Sequence, residues 1–64
     1  MELIRGVKYN VVETNGIEWK NLGFLWTRTN IRDGVYHIFE TETVGLPKIY
    51  KVVYETNIHW IERS

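Results

Sequence analysis

The chain of 64 residues offers few side chains for covalent catalysis. It has no cysteine, and its only serine is the C-terminal Ser64. Threonines are the remaining hydroxyl groups, and they stand where β-strand propensity alone places such residues: Thr14, Thr27, Thr29, Thr41, Thr43 and Thr56. Nucleophilic catalysis is therefore poorly supported.

The sequence gives equally little support for acid–base catalysis or metal binding. Glu40 and Glu42 could share one side of a strand as a carboxylate pair, but the glutamates are interspersed with Lys and Arg, as on a solvated β surface. His37 and His59 are the only histidines and have no HxH or HxxxH spacing. The glycines are scattered singly, without a phosphate-binding loop. We expect no catalytic residue, no metal site and no cofactor, and a protein that is not an enzyme.

Aromatic residues are the feature that the core alone does not explain. Nine of them make up 14% of the chain, too many for the interior of so small a domain. Strand alternation predicts that some reach the surface, where lysines and arginines stand beside them. The candidate ligand- or partner-binding residues are Trp19, Lys20, Arg28, Tyr36, Lys48, Tyr50, Lys51 and Tyr54.

These aromatics have three interpretations, which the sequence leaves open. They can form cross-strand pairs that stabilise a small sheet, an interface for a protein partner, or a stacking platform for bases. The first functional hypothesis is a non-enzymatic interaction module that docks on a protein partner or on itself, such as a small accessory or inhibitor protein of phage type. The alternative is binding of single-stranded nucleic acid or a nucleotide.

Composition narrows the class of protein further. The formal net charge is zero, which disfavours strong non-specific binding to duplex nucleic acid. No stretch is long and apolar enough to span a bilayer, and the segment 1–6 lacks the apolar run of a signal peptide. The prediction is a cytoplasmic protein with no membrane partner.

Turn signals define the elements that must position these residues. Asn15-Gly16 and Asp33-Gly34 predict hairpins, the first with a type I′ turn, in which both central residues have positive φ. Alanine is absent, while Val and Ile together number fourteen. The flanking runs predict strands over residues 9–14, 17–29, 35–41, 48–55 and 58–62, with a loop from Glu42 to Pro47 and a 3₁₀ turn at Thr56-Asn57.

The second strand is the longest, and Gly23 predicts a bend within it. After the bend, alternation places Phe24 and Trp26 on one face and Leu25 and Thr27 on the other. The predicted core consists mainly of Val7, Val11, Leu22, Leu25, Ile38, Val52, Ile58 and Ile61.

The whole layout resembles the SH3-like and Sm-like small β-barrels. The resemblance rests on Gly6 before the first strand, the hairpin, the long strand bent at Gly23, and the final strand–turn–strand in residues 52–61. It implies one all-β domain over residues 1–64, a five-stranded antiparallel SH3-like barrel with a short 3₁₀ turn before the last strand.

Overall fold

The computed structural model describes residues 2–41 and 48–64, and these form five strands and one short helix. The strands are β1 (Lys8–Glu13), β2 (Glu18–Asn30), β3 (Gly34–Thr41), β4 (Ile49–Tyr54) and β5 (Ile58–Arg63). A 3₁₀ turn, η1 (Glu55–Asn57), precedes β5 as predicted. The predicted loop from Glu42 to Pro47 lies outside the described residues.

All five strands belong to one antiparallel sheet, in the order β4-β3-β2-β1-β5. The predicted all-β, five-stranded antiparallel fold class is therefore confirmed. The predicted barrel is not closed over the described residues, because β4 and β5 remain the two edges of the sheet. Strand β2 connects its two halves, since Gly23 pairs with Lys8 on β1 and with Glu40 on β3.

The first hairpin is confirmed, but its predicted type I′ turn is wrong. Gly16 donates its N–H to the carbonyl of Glu13 at 2.9 Å, and Ile17 donates its N–H to Asn15 Oδ1 at 3.0 Å. Gly16 has a φ of +89°, whereas Asn15 is not among the positive-φ residues of the described chain. The bond from Gly16 to Glu13 places Thr14 and Asn15 at the centre of the turn, and the left-handed glycine follows them, as in a three-residue hairpin loop.

The long strand β2 contains two irregularities that change the direction of its side chains. Its pairing with β1 shifts between the Tyr9↔Leu22 and Val11↔Trp19 pairs, close to Asn21, whose φ is +57°. The pairing with β3 shifts between Phe24 and Trp26. A bulge adds one residue, so side chains beyond it change face. Phe24 is consequently buried and Trp26 exposed, contrary to the prediction that they share a face.

The core lies on the concave side of the curled sheet. Its buried apolar members are Tyr9, Val11, Leu22, Phe24, Phe39 and Val53. Among the predicted core residues, Val11 and Leu22 are buried, and Val7, Ile58 and Ile61 pack against the cluster while partly exposed. Leu25 and Ile38 are only half-buried, and Val52 is exposed. The prediction selected the wrong faces of β3 and β4, both of which carry apolar residues on each side.

Candidate functional site

The pairing of β3 with β4 separates an inner face from an outer face. His37 pairs with Val53, and both are buried. Ile38 pairs with Val52, one residue along each strand. Since successive side chains in a strand point to opposite sides, Ile38 and Val52 lie on the outer side of the sheet.

Three transverse rows of residues make up this outer side. The central row runs across three strands, because Ile38 also pairs with Trp26 of β2. On one flank, Tyr36 pairs with both Arg28 and Tyr54. On the other flank, Glu40 pairs with Tyr50. We call the following residues the outer aromatic face: Trp26, Arg28, Tyr36, Ile38, Tyr50, Val52 and Tyr54.

Much of this surface is open to solvent. Trp26 is 37% exposed, Val52 44% and Tyr50 64%. The Tyr36 and Tyr54 rings lie side by side with centroids 5.3 Å apart. The guanidinium carbon of Arg28 lies 5.9 Å from the centroid of the Trp26 ring, within the range of a cation–π contact. The result is a largely apolar surface with a cation at one flank.

Four of the predicted binding residues meet on this surface: Arg28, Tyr36, Tyr50 and Tyr54. A fifth, Lys48, stands next to it, because its ammonium lies 3.7 Å from the Glu40 carboxylate. The structure therefore brings together residues that are separated by up to 26 positions in the sequence.

Trp19 and Lys51, in contrast, are engaged on the inner side of the sheet. The Trp19 indole N–H donates to Glu13 Oε2 at 2.9 Å. The Lys51 ammonium lies 3.7 Å from the same carboxylate oxygen and 4.5 Å from the centroid of the Trp19 ring. The Glu13 side chain is 12% exposed and that of Lys51 25%. This bridge connects β1, β2 and β4, and its groups already have partners.

Lys20 is the remaining predicted residue, and it lies elsewhere. It borders a cleft of about 340 Å³ on the other half of the sheet, lined also by Val12, Glu18, Trp60 and Glu62. Trp60 is 57% exposed there. Lys20 therefore does not contribute to the outer aromatic face.

One group of side chains has the residue types of a nucleophile, a base and an acid. His37 Nδ1 is 2.8 Å from Thr27 Oγ1, and His37 Nε2 is 3.4 Å from Glu55 Oε1. The imidazole is only 2% exposed, so that a substrate has no direct access to it. The arrangement accounts for a buried, hydrogen-bonded histidine and indicates a structural role.

Sequence reasoning missed the central row of the outer aromatic face. Trp26 was expected beside Phe24, and Ile38 and Val52 were expected in the core. The nearest signal in the sequence is that β3 and β4 carry apolar residues on both faces. Such a pattern indicates that one of the two faces is apolar and outward, but it does not say which.

Comparison with known proteins adds no relative: the chain matches no family model, no curated protein and no solved structure. The resemblance to SH3-like and Sm-like barrels accordingly stays a prediction. In residues 2–41 and 48–64, no helix is long and apolar enough to cross a membrane. The same residues include no group of three or more His, Asp or Glu side chains that could hold a metal ion.

Proposed function

We propose that this protein is a non-enzymatic interaction module that docks on a protein partner through the outer aromatic face. The observation that supports it best is the central row of Trp26, Ile38 and Val52. In an antiparallel sheet with one buried face, the other face is usually polar. Here an apolar row crosses three strands on the solvent side, and exposed apolar patches are typical of interaction surfaces.

The residue types around that row favour a protein as the ligand. Tyr, Trp and Arg are enriched at protein interfaces and dominate their binding energy. Arg28 has no ion-pair partner within the described residues, so its guanidinium can donate to a carboxylate of the partner. We infer a partner with an apolar surface flanked by an acidic group, and an accessory or inhibitor role in the cytoplasm.

Two exposed tryptophans on different halves of the sheet allow a matched test. Trp26→Ser removes the centre of the outer aromatic face, whereas Trp60→Ser changes an exposed tryptophan of the other half. Immobilised wild-type protein and both variants are incubated with host lysate, after their melting temperatures have been compared. We expect a specific protein that wild type and Trp60→Ser retain and Trp26→Ser loses. Retention by Trp26→Ser and loss by Trp60→Ser would contradict the proposal.

A second candidate function is binding of single-stranded nucleic acid or a nucleotide. The Arg28 guanidinium above the Trp26 ring favours this function. Proteins that bind single strands stack bases on aromatic side chains and place cations nearby for the phosphates. Oligonucleotides should then quench tryptophan fluorescence, more weakly as salt is added and not at all in Arg28→Ala. The formal net charge of zero makes this the second choice.

A further inference from the structure

Strand β4 is an edge of the sheet, paired on one side only. Its single partner among the described residues is β3. An edge strand presents unpaired backbone N–H and C=O groups along its free side, in the spacing that another extended strand matches. The backbone groups along this edge can therefore hydrogen-bond to an added β-strand.

The features that normally prevent an edge strand from pairing with another chain are weak at β4. Lys51 is the only charged residue within Ile49–Tyr54, and its ammonium is held on the inner side by Glu13 and Trp19. The other edge, β5, carries both Glu62 and Arg63. Its ladder with β1 is also interrupted by a register shift between Val12 and Glu13. Charges and bulges of this kind discourage strand pairing, so β4 is the less protected edge.

We propose that two copies of this chain pair through β4, antiparallel about a two-fold axis at Val52. This register places Val52 opposite Val52 of the second copy and Tyr50 opposite Tyr54 of the second copy. Tyrosines opposite one another across antiparallel strands stabilise the pairing. Lys51 faces Val53, so that no like charges meet.

Neighbouring registers are less favourable. Moving the axis to Lys51 brings the two Lys51 side chains directly opposite each other, which is repulsive. Moving it to Val53 pairs Lys51 with Glu55, but Glu55 lies in η1 rather than in the strand. The sequence of β4 thus fits a second copy of itself in one register.

The paired dimer also extends the outer aromatic face. Its central row ends at Val52, which is next to the free edge. Pairing about Val52 joins this row to the same row of the second copy across a continuous sheet. The inference goes beyond the docking function proposed above and does not depend on it, because pairing uses the backbone edge whatever the face binds.

Charged substitutions at Val52, which lies on the proposed two-fold axis, test the dimer. Val52→Lys and Val52→Glu each place like charges opposite each other in a homodimer, and Val52 is exposed enough to accept either side chain. By sedimentation velocity we expect wild type to be a dimer and each variant to dissociate at least about tenfold more readily. An equimolar mixture of the two variants should recover the dimer, because Lys then faces Glu.

Trp26→Lys is the control within the outer aromatic face. Trp26 is two strands from β4, and strands are about 4.8 Å apart, so it lies roughly 24 Å from Trp26 of the second copy. The paired-edge dimer should therefore survive this change. Loss of the dimer in Trp26→Lys, with Val52→Lys unaffected, would overturn the proposal in favour of stacking between faces.

Other outcomes also overturn it. A wild-type monomer at every accessible concentration excludes the pairing, and rings or larger assemblies would indicate β4 joined to the β5 edge of the next copy. If the Val52 variants fail to fold, amide hydrogen exchange in the wild-type protein provides the test instead. The exchange rates of the β4 amides must then fall as the protein concentration rises, while those of the β5 amides do not change. Loss of partner capture in Trp26→Ser tests the docking function alone.

Discussion

His37 is the one buried polar side chain among the residues described, and its environment shows how a single residue joins three elements. The imidazole lies on β3, with Nδ1 2.8 Å from Thr27 Oγ1 of β2 and Nε2 3.4 Å from the Glu55 carboxylate of η1. Phe24 packs edge-on against it with centroids 6.2 Å apart. Burying an imidazole is unfavourable without hydrogen bonds, so these two partners determine whether His37 stabilises the fold.

Thr27→Val tests the first of these partners. Valine has nearly the shape of threonine, but it removes the hydroxyl that lies 2.8 Å from Nδ1 of the buried His37. We expect the free energy of unfolding to fall by about 1–3 kcal/mol. Urea denaturation, followed by tryptophan fluorescence, measures the change.

Thr29→Val is the matched control on the same strand. Thr29 is exposed like Thr27 but has no side-chain hydrogen bond within the described residues, so this substitution should change stability by less than about 0.5 kcal/mol. Equal losses in the two variants would show that the hydroxyl of Thr27 has no special role.

At the scale of elements, local turn chemistry made the strands predictable. The turns at Asn15-Gly16 and Asp33-Gly34 depend on residues close in sequence, and each observed strand begins and ends within one residue of the predicted one. The 3₁₀ turn after β4 was predicted in the same way. Where hydrogen bonds are local, short sequence patterns are sufficient.

The faces of the strands could not be predicted in that way. The irregularity between Phe24 and Trp26 depends on how β2 meets β3, a contact between distant parts of the chain. On β3, either Ile38 or Phe39 could supply the core by alternation alone. The structure buries the larger Phe39, where its ring meets Phe24 at 5.7 Å. The outer aromatic face was therefore only half predictable: its tyrosines and Arg28 were identified, but its central row was not.

Glycines in β2 and its hairpin give the second prediction. Gly16 has a φ of +89° with open space around its Cα, so a Gly16→Ala variant suffers from backbone strain alone. We expect a loss of about 1 kcal/mol in the free energy of unfolding, measured in urea. At Gly23, a Cβ would lie 3.8 Å from the carbonyl oxygen of Glu40, an ordinary contact, and φ is not positive. Gly23→Ala should thus be tolerated, and a larger loss there than at Gly16 would contradict this assignment.

At the scale of the whole molecule, the bridge between Glu13 and Lys51 links distant strands across the inner side of the sheet. The strands that carry them, β1 and β4, are three positions apart in the sheet, about 14 Å if it were flat. Their charged groups approach to 3.7 Å because both long side chains extend toward each other over the inner side of the sheet. Lys51 therefore links β4 to β1 on the inner side, and its charge is absent from the outer side of the β4 edge.

The third prediction compares this bridge with a second ion pair of the same length. Lys48 and Glu40 are also 3.7 Å apart, but their side chains are 61% and 29% exposed, against 25% and 12% for Lys51 and Glu13. Double-mutant cycles with Lys→Met and Glu→Gln at each pair isolate the two coupling energies. We expect about 1 kcal/mol for Lys51–Glu13 and less than about 0.5 kcal/mol for Lys48–Glu40, because water screens exposed charges.

The salt dependence of the two coupling energies distinguishes the ion pairs further. Adding salt should remove the coupling of Lys48 with Glu40 and leave most of that between Lys51 and Glu13, since partly buried charges are screened less. If the two coupling energies are equal and respond equally to salt, the Lys51–Glu13 bridge is no stronger than an exposed ion pair. In that case Lys51 would be free to protect the β4 edge, and the pairing of two copies through that edge would lose its main structural reason.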